Sequence, residues 1–150
     1  MKAFAVKHIV VDAGPFSKVL AAAKKQPYSL TSKKDKAEEA AKDNFVYVIE
    51  VLREAGHTIY RLGYKFRSSA AHERAGGALW DGRFKYKNTV EHRKSSDGIY
   101  LDSPVEITHS DFHDWFRGET LGMTEIPKDL VDVLESILSD PSNHAQHFTV

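Results

Sequence analysis

The feature that most constrains the fold is an alternation of apolar and cationic residues between His57 and Ser68. One side of this alternation is mainly apolar or aromatic, and the other side carries His57 and three cations: Arg61, Lys65 and Arg67. A period of two is typical of a half-buried strand, here with a cationic outer face. The alternation returns over 83–94, after a connection of small residues over 68–82, and predicts a second strand of the same kind.

The first half of the chain carries signals for both strands and helices. The apolar pattern predicts a strand over 3–12, a short helix over 15–25 and a mobile loop over 26–34. Between 35 and 55, apolar residues recur at every third or fourth position. This spacing predicts a long helix that ends before Gly56.

The second half completes a mixed α+β pattern. We expect further strand at 99–102 and 105–108, helices at 111–117 and 127–139, and a frayed tail over 142–150. The order of elements favours one α+β domain with a mainly antiparallel, four-stranded sheet and helices packed on one face. Only that arrangement leaves the other face of the sheet open to so many charges.

The charges are unevenly distributed along a chain whose formal net charge is zero. Residues 53–94 carry ten Lys or Arg and four Asp or Glu, whereas residues 95–150 carry two and eleven. Cations interleaved with aromatic residues suit phosphate and base contacts. We therefore expect a binding protein whose basic sheet face engages nucleic acid or a nucleotide-bearing ligand. The expected binding residues are Arg61, Tyr64, Lys65, Arg67, Arg74, Trp80, Arg83, Lys85, Lys87 and Arg93.

Two other classes of function stay open at this point. In the first, His72 as a base and Glu73 as a carboxylate, near Gly76 and Gly77, form the site of a small enzyme of nucleotide or phosphate chemistry, shared between subunits. In the second, the protein is an interaction or inhibitor protein without a small ligand. Its acidic tail would then pair with the basic middle of another copy, which predicts a homo-oligomer.

Several classes of site are not expected. The chain has no cysteine, so no disulfide and no thiolate site can form, in keeping with a reducing, cytoplasmic compartment. His109 and His113 have the spacing of a metal pair but no third ligand placed by the sequence, so we expect neither a metal nor a cofactor. We also expect no secretory signal and no membrane contact, because Lys7 and His8 interrupt the first apolar run and no apolar stretch approaches about 20 residues.

Overall fold

The fold is known from a computed structural model that describes residues 2–18, 29–32, 44–73, 79–80, 84–85, 88–92, 98–119 and 124–147. The strands are β1 (Ala3–Ile9), β2 (Ser29–Ser32), β3 (Phe45–Glu54), β4 (His57–Glu73), β5 (Leu79–Trp80), β6 (Phe84–Lys85), β7 (Asn88–His92), β8 (Ile99–Glu106), β9 (Thr124–Glu125) and β10 (Gln146–His147). The α-helices are α1 (Val10–Ala13), α2 (Ser110–Arg117) and α3 (Lys128–Ser139), and a 3-10 turn spans Pro141–Asn143.

The main sheet is mixed and larger than predicted. Its path is β10-β8-β4-β3-β1-β9, and β7 joins the far part of β4 and carries β2 in turn. Among the described strands of this sheet, the β1–β3 pair is parallel and the other pairs are antiparallel. β5 and β6 form a separate two-stranded sheet. The α+β class is confirmed, whereas the expected count of four strands is too low.

The predicted helix over 35–55 is wrong where the structure describes it, because Phe45–Glu54 is strand β3. β3 lies between β1 and β4, and both of its faces are buried over Val46–Glu50. A strand buried on both faces shows a continuous apolar run rather than an alternation, and such a run imitates helical spacing. Residues 35–43 lie outside the described part of the chain.

A two-residue hairpin turn joins β3 to β4. Ala55 and Gly56 both have positive φ, of 49° and 79°, and Glu54 pairs with His57. Two consecutive left-handed residues make the turn that matches the twist of a hairpin. The sequence Ala-Gly therefore closes a hairpin here instead of ending a helix.

β4 contains a bulge opposite the middle of β3. Leu62 pairs with Ile49, but Tyr64 pairs with Val48, so that Gly63 is an extra residue on β4. An extra residue shifts the alternation of side chains by one position. The strand prediction for 57–68 is therefore confirmed, while the prediction that one side stays apolar throughout is wrong.

The bulge gives the sheet two buried faces. Before it, Tyr60 and Leu62 join the core that α2 and α3 complete with Phe112, Phe116 and Leu134. After it, the aromatic residues of β4 turn to the opposite face. There the Tyr64 ring lies 6.0 Å from that of Phe16 and 5.6 Å from that of Phe66, and all three residues are fully buried. The predicted open, cationic face is thus replaced by an aromatic one in this part of the sheet.

The remaining predictions fare variously. The helices expected at 111–117 and 127–139 are confirmed as α2 and α3, and residues 16–18 are helical, as expected for the start of the 15–25 helix. The predicted strand over 3–12 ends at Ile9, where α1 begins. Ser29–Ser32, in the predicted loop 26–34, form β2, and Gln146–His147, in the predicted frayed tail, pair with β8.

Candidate functional site

A buried lysine lies where the sheet meets α3. The side chain of Lys65 is 9% exposed, and its Nζ donates to both carboxylate oxygens of Glu135, at 2.9 and 3.2 Å. Glu135 is itself 43% exposed, so the pair has one deep member and one member at the surface. The prediction that Lys65 faces solvent is wrong, because the bulge in β4 turns its side chain toward the helices.

Two aromatic rings of β3 flank the same ammonium group. Nζ of Lys65 lies 4.2 Å from the ring centroid of Phe45 and 5.5 Å from that of Tyr47. A cation held over aromatic faces and bound to a carboxylate gains electrostatic attraction from each of them. Lys65 therefore provides a fixed positive charge in a place with little water.

Tyr47 completes the arrangement as a hydrogen-bond donor. Its hydroxyl donates to Oε2 of Glu135 at 3.0 Å. Burial raises the pKa of Tyr47 far above the usual value for tyrosine, and the charge of Glu135 and the hydrogen bond to it raise the pKa further. The phenol therefore keeps its proton at physiological pH and does not serve as a base.

Lys65, Glu135 and Tyr47 line a cavity of about 670 Å³. We call it the Lys65 pocket and define it by Phe45, Tyr47, Lys65, Ile126, Val131 and Glu135. Its volume lies within the range of about 300–1,000 Å³ that is usual for small-molecule sites. The pocket thus combines apolar walls with one buried cation, as a site for an organic anion requires.

The local folding of the chain explains why this cation is in place. Lys65 pairs with Tyr47 across the β3–β4 ladder, so both side chains lie on the face that α3 covers. Glu135 lies on the turn of α3 after Val131, and Leu134 beside it is fully buried in the core. Packing of the helix by Leu134 thereby fixes the backbone position of Glu135 beside Lys65.

Of the other two predicted cations of this strand, Arg61 lies on a different face from Lys65. Arg61 lies before the bulge, on the face of the sheet opposite to Lys65. Its side chain is 32% exposed and makes ion pairs with Glu54 at 3.1 Å and Glu50 at 3.7 Å. Arg67 is half-buried. The prediction of a single outward row of cations on β4 is therefore wrong, because the bulge places Arg61 and Lys65 on opposite faces and Lys65 is buried.

Tyr64 was predicted to flank that cationic row and to contact the ligand. Its residue is fully buried against Phe16 and Phe66 on the face away from the Lys65 pocket. Tyr64 therefore lies in the core of the described structure.

The other predicted binding residues lie in the middle of the chain. Lys85 and Trp80 belong to the β5–β6 pair, in which Trp80 lies opposite Phe84 and Lys85 lies opposite Leu79. Four others, Arg74, Arg83, Lys87 and Arg93, lie outside the described residues. A binding role for these six residues stays a prediction.

The predicted catalytic pair lies on strand rather than on a connection. β4 continues to Glu73, with His72 in register with Thr89 and Glu73 in register with Asn88 of β7. The expected small-residue connection over 68–82 thus begins later than predicted. A catalytic role for His72 and Glu73 stays a prediction.

His109 and His113 have partners within the protein. Nδ1 of His109 accepts from the backbone N–H of Phe112 at 3.4 Å and caps α2, and Nε2 of His113 lies 2.6 Å from the carbonyl oxygen of Ile107. Among the described residues, no group of three or more His, Asp or Glu side chains is arranged to hold a metal ion. His109 therefore caps the start of α2, and His113 contacts the segment that precedes the helix.

Sequence reasoning missed three members of the Lys65 pocket. Phe45 and Tyr47 fall in the predicted helix over 35–55, and Glu135 belongs to the acidic tail that was expected to meet the basic middle of another copy. The β-branched residues Val46, Val48, Ile49 and Val51 were the signal for a strand that was available. No local signal joins Glu135 to Lys65, because 70 residues separate them in the sequence.

Comparison with known proteins gives no relative for this fold or pocket. No protein-family model, no curated protein and no solved structure matches the chain. In the described part of the chain, no helix has the length and apolar character needed to cross a membrane. The function must therefore be argued from the pocket itself.

Proposed function

We propose that the protein binds a small organic anion in the Lys65 pocket. The observation that carries this proposal is the buried ammonium of Lys65, held between two aromatic rings at the wall of a 670 Å³ cavity. The sequence already predicts that cations of residues 53–94, Lys65 among them, bind an anionic partner. Lys65 lies in a pocket, whereas the sequence predicts an open sheet face.

A purely structural role explains the site less well. A buried ion pair contributes little net stability, because desolvation offsets the attraction, and apolar residues of similar volume are often as good or better. The neighbouring residues Tyr47 and Ile126 already belong to the apolar core and would accept such a residue at position 65. Ligand binding gives a reason for keeping the charge there.

Binding is also favoured over acid–base catalysis at this pocket. Tyr47 keeps its proton because its pKa is raised, and the ammonium group of Lys65 is already engaged by Glu135 and the ring of Phe45. A general base or an amine nucleophile must instead release its proton near neutral pH. The pocket therefore supplies fixed charge and hydrogen bonds, which are the requirements of a binding site.

Thermal unfolding with a panel of organic anions tests the proposal. A bound anion stabilises the folded state by mass action, so at least one member of the panel should raise the Tm of the wild-type protein. Lys65→Met should abolish that rise. Lys128→Met, which removes an exposed charge at the rim of the pocket, should retain most of it. Equal responses of wild type and Lys65→Met would refute the proposal.

Binding of nucleic acid by the basic middle of the chain stays a second prediction, favoured by the uneven charge distribution alone. Retention of a single-stranded oligonucleotide with a steep dependence on salt would support it. Lys65→Met should leave that retention unchanged, because Lys65 is buried. The two candidate functions are therefore separable in one variant.

A further inference from the structure

The charges around the Lys65 pocket are balanced. Lys65 and Glu135 lie in its wall, and Lys2, Glu125, Lys128 and Asp132 lie at its exposed rim, so the six formal charges sum to zero. Lys2 and Glu125 already form a loose ion pair at 3.8 Å. The pocket is therefore not a strongly positive site of the kind that attracts a polyanion.

The two members of the Lys65–Glu135 pair differ in their freedom to move. Lys65 is fixed on a strand, with its side chain 9% exposed and two rings against its ammonium. Glu135 is 43% exposed and projects from a helix, so rotation about its side-chain bonds moves its carboxylate into water. Lys65 is therefore paired with a carboxylate both before and after a ligand carboxylate takes the place of Glu135.

We infer that the Lys65 pocket takes a monocarboxylate with an apolar body, whose carboxylate replaces that of Glu135 at Lys65. The inference rests on the proposed function and narrows its ligand class. In the exchanged state the Tyr47 hydroxyl, which now donates to Glu135, donates to the ligand. Glu135 thus occupies the position of the ligand's carboxylate when no ligand is bound.

The apolar body follows from the walls, and the single charge follows from Lys65. Phe45 and Val131 are half-buried and Ile126 is buried, so an aromatic or aliphatic group contacts apolar surface beside Lys65. Either carboxylate forms the same ion pair with Lys65. The apolar contact is therefore what favours the ligand over Glu135. Lys65 is the one buried cation among the described lining residues and can pair with one negative charge, so the second charge of a dianion has no buried partner and a monoanion is matched better.

Three probes that share one ring test the ligand class by isothermal titration at about pH 8. Phenylacetate is a monoanion, phenylacetamide is its neutral analogue, and phenyl phosphate is largely a dianion because the second phosphate pKa is about 6. Phenylacetate should bind at least about tenfold more tightly than either analogue, a difference of about 1.4 kcal/mol. Adenosine monophosphate serves as the nucleotide-type probe and should bind as weakly as phenyl phosphate.

Two variants test the exchange and a third is the control. Glu135→Gln removes the competing carboxylate and should tighten phenylacetate binding by about fivefold or more, because the ligand no longer displaces a charge. Lys65→Met should abolish binding. Lys128→Met removes the same charge at the exposed rim and should change the affinity by less than about threefold. Circular dichroism checks that each variant is folded.

The outcomes separate this inference from the proposed function. Tighter binding of phenyl phosphate or adenosine monophosphate than of phenylacetate, lost in Lys65→Met, would overturn the monocarboxylate and leave anion binding in place. Unchanged or weaker phenylacetate binding in Glu135→Gln would overturn the exchange. Absence of binding by every anionic probe to both wild type and Glu135→Gln would overturn both proposals together.

Discussion

Substitution of Gly63 by alanine tests the bulge that directs Lys65 into its pocket. A Cβ atom added at Gly63 would lie 2.7 Å from Cδ1 and 3.2 Å from Cε1 of Phe16. Real Cβ atoms do not approach ring carbons so closely, so either the strand or the ring must move. The backbone of Gly63 does not have positive φ, so the clash and not backbone strain is the source of the cost.

The expected cost follows from what can yield. Phe16 is 1% exposed, and its ring contacts those of His8 and Tyr64 at centroid distances of 5.4 and 6.0 Å. Overpacking of such a site costs about 1–3 kcal/mol. Expulsion of the ring would cost about 3–5 kcal/mol, as for Phe→Ala in a core, and sets the upper bound. We expect Gly63→Ala to lose about 1–3 kcal/mol of unfolding free energy.

Urea denaturation of five proteins measures this cost and its cause: wild type, Gly63→Ala, Phe16→Leu, the double variant and a control. Phe16→Leu leaves space for the new methyl group, so Gly63→Ala should cost at least about 1 kcal/mol less in the Phe16→Leu background than in wild type. Gly118→Ala is the matched control, since its nearest atom would be 3.7 Å away and its φ of −78° suits alanine. A Gly63→Ala cost within about 0.5 kcal/mol of zero, or no coupling to Phe16, would refute the placement of Phe16 over the bulge.

Three further predictions concern other parts of the fold. Burial and Glu135 raise the pKa of Tyr47, so above pH 10.0, the ordinary value, the unfolded phenol ionises first and stability falls with pH. In this range the unfolding free energy of wild type should fall by about 1.4 kcal/mol more per pH unit than that of Tyr47→Phe. Parallel curves for the two proteins would contradict this. Ala55→Asn should raise the unfolding free energy by about 0.5–1 kcal/mol, because asparagine tolerates the left-handed turn better; an unchanged Tm would contradict the hairpin. Glu50→Ala should cost about 1–3 kcal/mol in urea, because the buried N–H of Phe16 donates to Glu50 at 2.9 Å, while Glu50→Gln should cost less; equal costs would contradict that bond.

The sequence predicts the outer elements of this fold better than its centre. α2 and α3 each have one buried stripe and clear ends, and the alternation over 57–68 identifies β4. β3 is buried on both faces, and its apolar run does not distinguish a helix from a strand by spacing. Its β-branched residues and the Ala55–Gly56 turn are the local features that favour the strand.

The candidate site depends on features that no local pattern contains. A single extra residue, Gly63, reverses the faces of β4 and moves Lys65 from the predicted solvent side to the helix side. The identity of its partner depends on how α3 packs, since Glu135 is one of several carboxylates on that helix. Sequence reasoning therefore identified a cation-rich strand correctly and assigned Lys65 to the wrong environment.

Intermolecular nuclear Overhauser effects between phenylacetate and the protein test the central claim most directly. The ring protons of the ligand should show contacts with the methyl groups of Val131 and with the ring of Phe45, which are half-buried walls of the Lys65 pocket. In Lys65→Met these contacts should disappear, while the protein's own contacts between Phe112 and Phe116 persist. Contacts that map to another surface, or that survive in Lys65→Met, would contradict the assignment of Lys65 as the anion-binding residue.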